Sequence, residues 1–557
     1  MIRISHYGII GAGSLVAQGN LLLIARISGC IRILIIYFVS IIILPDVSDL
    51  VASYYVDGTI GTLIAETHSI DHLGNTTVSR TFIDRDYKTV FQITTTLAST
   101  QTSGTITVNG LLEESTSTSG HTTFYSHDGL GRQIATEDAR GAIHSRAYDQ
   151  YGRVSRETDP ENNATYYAYD PFGRVTATTN ALGQVTFTTY DVNGRVTATW
   201  GATYPVEYDY DDFGRMIAMR TFRDENGPGD ETRWYYHEPT GLLTNKLYAD
   251  GKGTTYSYTP DGKLASRTWA RGVTTTYTYT NGSSLASISY SDDTPSVTFG
   301  YDRLGRQTSA IVDGVSTNLY SYDALTQALS TEIQNGSTIT RTTDALGRNI
   351  GFSIGSDYVV EYGYDTYGRF TSVASSTQST QSTPSTQSMY TYSYLPGTDL
   401  LAGYTAGDFT RTVSYEPYRS LITSVENKHN STTISRYDYE NDALGRRTAI
   451  ARSGIAFGDM PVRDAYGYNH RSEVTSARRS LVANPSQEIR GFSYDYTYDP
   501  IGNRISSTEY DPANNPLTSS YSANALNQYE QRTVPGYAAV RGSATNTATV
   551  TVNGNPT

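Results

Sequence analysis

Aspartate is the most regularly placed reactive side chain of the sequence. Asp149, Asp170, Asp191, Asp302 and Asp365 each precede a glycine by three residues and an arginine by four (Gly152 and Arg153, Gly173 and Arg174, Gly194 and Arg195, Gly305 and Arg306, Gly368 and Arg369). A carboxylate beside a guanidinium can serve acid–base chemistry, but it can equally close a turn. Its short acceptor bonds backbone amides two residues on, and glycine adopts φ > 0 without steric cost. Recurrence favours the turn, because an active site is needed once. Other chemistry is sparse. Among nine histidines only His68 and His72 have the i, i+4 spacing of a helical zinc motif, and that stretch reads as strand and turn. Cys30 is the single cysteine, so no disulfide framework is expected. Asp211 and Asp212 are adjacent and are expected to diverge in a turn. Gly11-Ala12-Gly13 has Val16 in the third glycine's place of a dinucleotide loop and no βαβ context. No nucleophile elbow is read. No catalytic, metal or cofactor-binding residue is assigned, no cofactor is expected, and the chain is expected not to be an enzyme.

The elements that place these residues repeat. Gly110, Gly131, Gly152, Gly173 and Gly194 follow one another at 21 residues, and Gly214, Gly241 and Gly262 continue the series. Such a period marks one supersecondary unit stacked many times, unable to bury its face alone. In residues 163–183, Tyr167 and Tyr169 share one face of a strand, and Val175, Ala177 and Thr179 alternate likewise. A second turn around Asn180 and Gly183 leads to the next copy. The prediction is strand, tight turn, strand, with Arg174 leaving the turn to pair with a turn carboxylate or a neighbouring carbonyl. Forty-seven tyrosines against 14 phenylalanines predict a ladder of rings between adjacent hairpins.

Tyr-Asp-x-x-Gly-Arg at about this spacing, as in Tyr169-Asp170-Pro171-Phe172-Gly173-Arg174, resembles the YD repeat of the RHS proteins. That family includes bacterial polymorphic toxins, components of insecticidal toxin complexes and animal teneurins. The resemblance covers about residues 55–535, beginning with the degenerate Asp71-His72-Leu73-Gly74-Asn75 and ending with Tyr521 to Tyr529. It implies an all-β fold in which tandem hairpins join into a spiralling sheet, a closed or partly open shell around a C-terminal toxin. Family toxins also carry an Asp-Pro-x-Gly self-cleavage motif. Asp499-Pro500-Ile501-Gly502 has those letters but falls in phase as a repeat turn, so cleavage is not expected there. After Tyr529 only 28 residues remain, and 536–557 read as the start of a truncated β-unit with no room for a toxin. The chain is therefore expected to be a fragment or a toxin-free repeat protein.

A net charge of −13 argues against nucleic acid as a partner. Residues 1–50 are a different substance. The charge-free run Ile33 to Leu44, behind Arg26 and Arg32, suits a signal-peptide core with cleavage near Val51-Ala52-Ser53. Read over 21–44, the segment is a tilted membrane helix, and a mis-called start is the third reading. Each of the first two predicts a short hydrophobic helix and a secreted or cell-surface protein, with membrane contact through 21–44 in the second. Residues 375–388, all Ser, Thr, Gln and Pro, read as a flexible excursion from one hairpin tip. Two functions follow: a shell encapsulating or presenting a downstream toxin polypeptide, or a secreted adhesive repeat protein binding glycans or cell-surface proteins.

Overall fold

The computed structural model describes residues 21–27, 30–36, 51–56, 59–71, 75–85, 88–96, 101–224, 227–324, 326–355, 357–377, 387–458, 460–535, 551–552 and 555–556. Among them the chain is all-β. Forty-four strands form one sheet, and a single 3-10 turn, Ile455–Phe457, is the helical content. Between Val51–Val56 and Tyr529–Arg532 every strand pairs antiparallel with the strand before it and the strand after it.

The predicted N-terminal helix is not what the structure has. Leu21–Ile27 and Cys30–Ile36 are strands paired antiparallel, and the second runs parallel to Val51–Val56. Their isoleucines are stiff at χ1 and suit a pleated surface better than a helix. The rest of 1–50 lies outside the described residues. So do 378–386 within the Ser/Thr/Gln segment, whose flanks pair across Ser376 and Gln387. The segment 536–557 contributes only Thr551–Val552 paired with Asn555–Pro556.

The wall is one sheet thick. Among the described residues few hydrophobic side chains are buried, Val78, Phe82, Phe91 and Val360 included, and most strand residues are half-buried, with exposed positions alternating along Tyr-bearing strands such as Ala164–Tyr169. Stability must therefore come from cross-strand pairs and turns more than from a sandwiched core. Curvature is built in at each repeat. The register slips at the repeat tyrosine, between Ala147 and Tyr148, Ala168 and Tyr169, and Thr189 and Tyr190. A bulge of this kind bends its strand and increases local twist.

The curved sheet closes on itself. Hairpin turns alternate between two edges of the sheet: the Tyr-Asp turns lie along one, and the turns between repeats, such as 138–142 and 159–163, along the other. Ser119 donates to Asp399 at 3.2 Å, and His121 Nε2 lies 3.2 Å from the same carboxylate. Ser119 follows the eighth strand in chain order, Leu111–Thr116, and Asp399 follows the thirty-third, Gln387–Tyr394, a separation of 25. The same separation joins Asn75 to the carbonyl of Ala345 at 3.0 Å, Arg140 to Ser420 at 3.5 Å and Arg223 to the carbonyl of Ala523 at 2.8 Å. One winding thus holds 25 strands. The number has to be odd, because an odd offset sets a turn of one edge against a turn of the other. At ~4.8 Å per strand a winding is about 120 Å round and about 40 Å across.

Candidate functional site: the Tyr-Asp turn and the winding seam

The recurring side chains build one connector, used in repeat after repeat. In the turn 149–153, Asp149 Oδ1 accepts the amides of Tyr151 and Arg153, each at 2.9 Å, and Oδ2 accepts Arg153 Nε at 2.7 Å. Gly152 closes the turn at φ +82°. Arg153 then reaches forward: Nη1 donates to the carbonyl of Asp170 at 3.1 Å, and the guanidinium lies 4.5 Å from the ring centre of Tyr169. Tyr169 reaches back, its hydroxyl donating to the carbonyl of Val154 at 2.6 Å. The two residues clamp consecutive repeats together.

The predicted site residues all sit in this arrangement. Asp170 with Arg174, Asp191 with Arg195, Asp302 with Arg306 and Asp365 with Arg369 repeat the pairing at 2.6–2.8 Å. The forward bonds recur as Arg174 to Asp191 O at 2.7 Å and Arg195 to Asp211 O at 3.0 Å. Gly173, Gly194, Gly305 and Gly368 hold φ between +78° and +84°. Burial pushes the Asp170 carboxyl up, but the amide and guanidinium of Arg174 and the amide of Phe172 outweigh it and hold the group below the usual range.

Both partners expected for the arginine, turn carboxylate and neighbouring carbonyl, are engaged at once. The tyrosine ladder differs from expectation. At the repeat position the ring stacks under arginine rather than ring to ring, because the forward-reaching guanidinium fills the gap between hairpins. Ring-on-ring contact is concentrated in one stretch, where Phe370, Tyr392, Tyr404 and Phe409 follow one another at 5.1–5.9 Å.

Sequence reasoning found the second turn at Asn180 and Gly183 but missed that, on the opposite edge, it repeats the acceptor geometry of the Tyr-Asp turn. Asp138 Oδ1 accepts the amides of Arg140 and Ala142, and Asp159 and Asn180 do the same for their turns. The signal was an Asp or Asn five residues before the next strand, as at Asp138, Asp159 and Asn180, hidden by the absence of a regular arginine. It also missed the letters Gly351-Phe352-Ser353-Ile354-Gly355, a nucleophile-elbow string. Ser353 lies inside the strand Asn349–Ile354, between Thr340 and Val359, with a turn and another strand following. A strand-to-helix elbow is not formed there.

The remaining chemical candidates disperse. His68 is in the strand Thr59–Ile70, bonded to Glu66 at 2.7 Å, and His72 lies outside the described residues. Asp211 serves its turn while Asp212 faces solvent. Asp499 accepts the amide of Asn503 at 2.7 Å and its side chain at 2.8 Å, so the Asp-Pro-Ile-Gly string is a repeat turn. Among the described residues no three His, Cys, Asp or Glu side chains converge as a metal site, and no helix is long and apolar enough to cross a membrane.

The seam between windings holds a cavity of about 400 Å³. Trp200, Glu207 and Phe222 line it from the first winding, His470 and Arg471 from the second. Nearby, Tyr204 of the first winding meets Glu473 of the second. Burial, then the Glu473 charge, push its hydroxyl up. Arg471 pairs with Glu473 at 3.1 Å. These groups bind one another across the joint.

Comparison with known proteins agrees with this geometry. Residues 148–185 match the family model of the RHS repeat. No curated protein sequence matches the chain. Crystal structures that resemble it include a TcdB2–TccC3–Cdc42 structure (TM-score 0.62, 15% identity, 82% of this chain and 27% of that one), a TcdB2–TccC3–TEV structure (0.53, 16%, 82% and 27%) and a TcdB2–TccC3 structure (0.51, 16%, 82% and 28%). The chain spans little more than a quarter of the length of these structures. At such identity the likeness is one of fold: a wound sheet of β-hairpin repeats.

Proposed function

We propose that this RHS-repeat protein is a wall segment of a hollow shell that encloses or presents a toxin polypeptide lying downstream of the repeats. The observation that carries the proposal is the recurring 25-strand winding, which turns a single-layer sheet into a tube with a lumen. A wall one sheet thick shields its contents without needing a core of its own. Its connectors, carboxylate to guanidinium to tyrosine, are spent on holding repeats together, which suits a container with no chemistry of its own. A secreted life and a fragment status, with the toxin carried on polypeptide beyond Thr557, belong to the same proposal, and the resemblance to RHS toxins supports both.

The test is protection. A protease-sensitive, unfolded reporter polypeptide fused after Thr557 is expected to survive digestion while the wall is intact and to be cut once the shell is denatured. Digestion at the rate of the free reporter would remove the encapsulating role.

One observation favours the adhesive alternative. Phe187 and Trp200 stack at 5.4 Å on the same face of the sheet, both open to solvent. Binding to a glycan array that is lost in Trp200→Ala would support it.

A further inference from the structure

One position of the Tyr-Asp turn has two fates. Two residues after the turn acid, the chain repeatedly carries a large apolar side chain. In the first winding it protrudes: Leu130 is 79% exposed, Tyr151 74%, Phe172 82%, Phe213 78% and Leu304 70%. In the second winding it is sheltered: Tyr367 falls to 46% and Tyr418 to 42%, and Leu346, Leu444 and Ile501 are half-buried. The cover is visible. Tyr367 lies against Gly120, with a ring carbon 3.7 Å from where a Cβ would stand. The carbonyl beside Leu346 accepts from Asn75 at 3.0 Å, and Gly502, next to Ile501, abuts Tyr204. Each covering residue belongs to the opposite edge of the sheet, 25 strands earlier for Asn75 and Tyr204 and 23 for Gly120. This slot is the knob of the winding seam. Along the first winding, among the described residues, nothing covers it.

We propose that the Tyr-Asp rim of the first winding docks the opposite edge of a second copy of this chain, continuing the seam from one molecule to the next. The proposal extends an interface the chain already makes with itself: same slot, same kind of covering turn. The covering surface is also present and bare. On the opposite edge of the second winding, Ile455 is 68% and Met460 67% exposed, with Val482 beside them at 40%. Charge does not oppose the contact. Each turn aspartate on the rim is paired with its own arginine, and the adjacent first turn positions carry only three charges, Asp212, Glu238 and Arg303. Exposed apolar rows of this kind are rarely left uncovered on soluble proteins. Because the two edges differ, the contact is heterologous and repeats head to tail.

Sedimentation of the full chain over a hundredfold concentration range tests this. The expected result is a series extending beyond the dimer. The variant Tyr151→Asp/Phe172→Asp/Phe213→Asp is expected to weaken association at least tenfold with an unchanged circular dichroism spectrum. Ile455→Asp/Val482→Asp, on the other edge, is expected to do the same. Each variant keeps one good edge, so mixing the two should give a 1:1 dimer and nothing larger. If the aspartate variant fails to fold, Phe172→Ser/Phe213→Ser replaces it. A wild-type chain that stays monomeric throughout, or an assembly indifferent to both variants, overturns the proposal. So does a monomer that floats with phosphatidylcholine–phosphatidylglycerol vesicles through the same rim.

Discussion

The guanidinium of Arg153 sits 4.5 Å from the ring centre of Tyr169 in the following repeat, while the hydroxyl of Tyr169 donates to the carbonyl of Val154, the residue after that arginine. Each residue is thus anchored in its own hairpin and bonded to the other's. A neutral hydrogen bond of this type contributes about 1 kcal/mol and a partly desolvated cation–π contact about 0.5–2 kcal/mol.

Tyr169→Phe keeps the ring and loses only the hydroxyl bond, so it is expected to destabilise its repeat by about 1 kcal/mol. Arg153→Lys keeps the charge but loses the fork that holds Asp149 Oδ2 and Asp170 O together, so it should not restore stability. Contacts in a repeat array are nearest-neighbour, so the readout is hydrogen exchange of the amides in 143–179 rather than the global melt. Unchanged protection in both variants would remove the clamp from the account.

Gly173 is at φ +83°, with its nearest neighbour, Arg153 Cδ, 3.9 Å from where a Cβ would stand. The objection to a side chain there is backbone strain and not lack of space. Gly173→Val is expected to cost about 1–3 kcal/mol. Pro171→Ala is expected to cost far less, because that slot holds Gln150, Val192, Asp212 and Arg303 in other copies. Equal melting temperatures would refute the turn assignment.

The repeat turn was legible because its geometry is local. Asp170, Gly173 and Arg174 are four residues apart at most, and their types admit few other conformations. Strand alternation around Tyr167 and Tyr169 was legible for the same reason. The spiral was expected from the resemblance, but the register of the winding was not legible. Ser119 and Asp399 are 280 residues apart, and nothing about either residue announces the other. The 25-strand closure depends on curvature accumulated over many bulges, each a slip of one residue at a tyrosine whose sequence does not distinguish a bulge from a plain strand. The stacking of arginine on the repeat tyrosine was missed because it spans two copies, whereas the unit was read one copy at a time. The segment 21–36 misled through its apolar run, where β-branching, visible in the isoleucines, favoured strands.

Acid should loosen the array turn by turn. The carboxyls of Asp344, Asp365 and Asp442 are each pushed up by burial but held lower overall, by the bonds from the side chain and amide of the turn arginine and its charge. A carboxyl lowered in the folded state stabilises above its unfolded pKa of about 3.9, and that stability disappears as pH falls through the folded value. The melting temperature is therefore expected to be flat down to about pH 5 and to drop below about pH 4. At the other extreme, burial and the bond to Glu157 raise the Tyr167 hydroxyl to about 12. Its contribution is complete below about pH 10 and is lost as pH climbs toward the folded value. Tyrosinate absorbance at 295 nm should accordingly appear in the folded protein later than in urea. Coincident titrations would contradict the shielding of the Tyr167 hydroxyl by the folded sheet.

The seam predicts specific proximity across the sequence. In a Cys30→Ser background, Ser119→Cys with Asp399→Cys is expected to be joined within one molecule by a short bis-maleimide, read as a faster-migrating band under denaturing conditions. Ser119→Cys with Asp302→Cys, which places the second thiol on the far rim of the same winding, should not be. Equal cross-linking of both pairs would mean that the windings do not stack in this register.

The largest-scale consequence concerns mass distribution. Forty-four strands at ~4.8 Å make a contour of about 210 Å. Stretched out, such a ribbon would expose two long rows of turns and scatter as a rod. Wound at 25 strands per turn it is a short tube of fewer than two windings, with a wall one sheet thick and its mass away from the axis. Small-angle scattering at low concentration, where head-to-tail association is suppressed, should give a pair-distance distribution depleted at the centre. The cross-section should be about 40 Å plus side chains. A profile fitted by a solid particle or a thin extended rod would mean that the contacts between Asn75 and Ala345 and between Arg223 and Ala523 do not hold in solution, and the enclosing wall would fall with them.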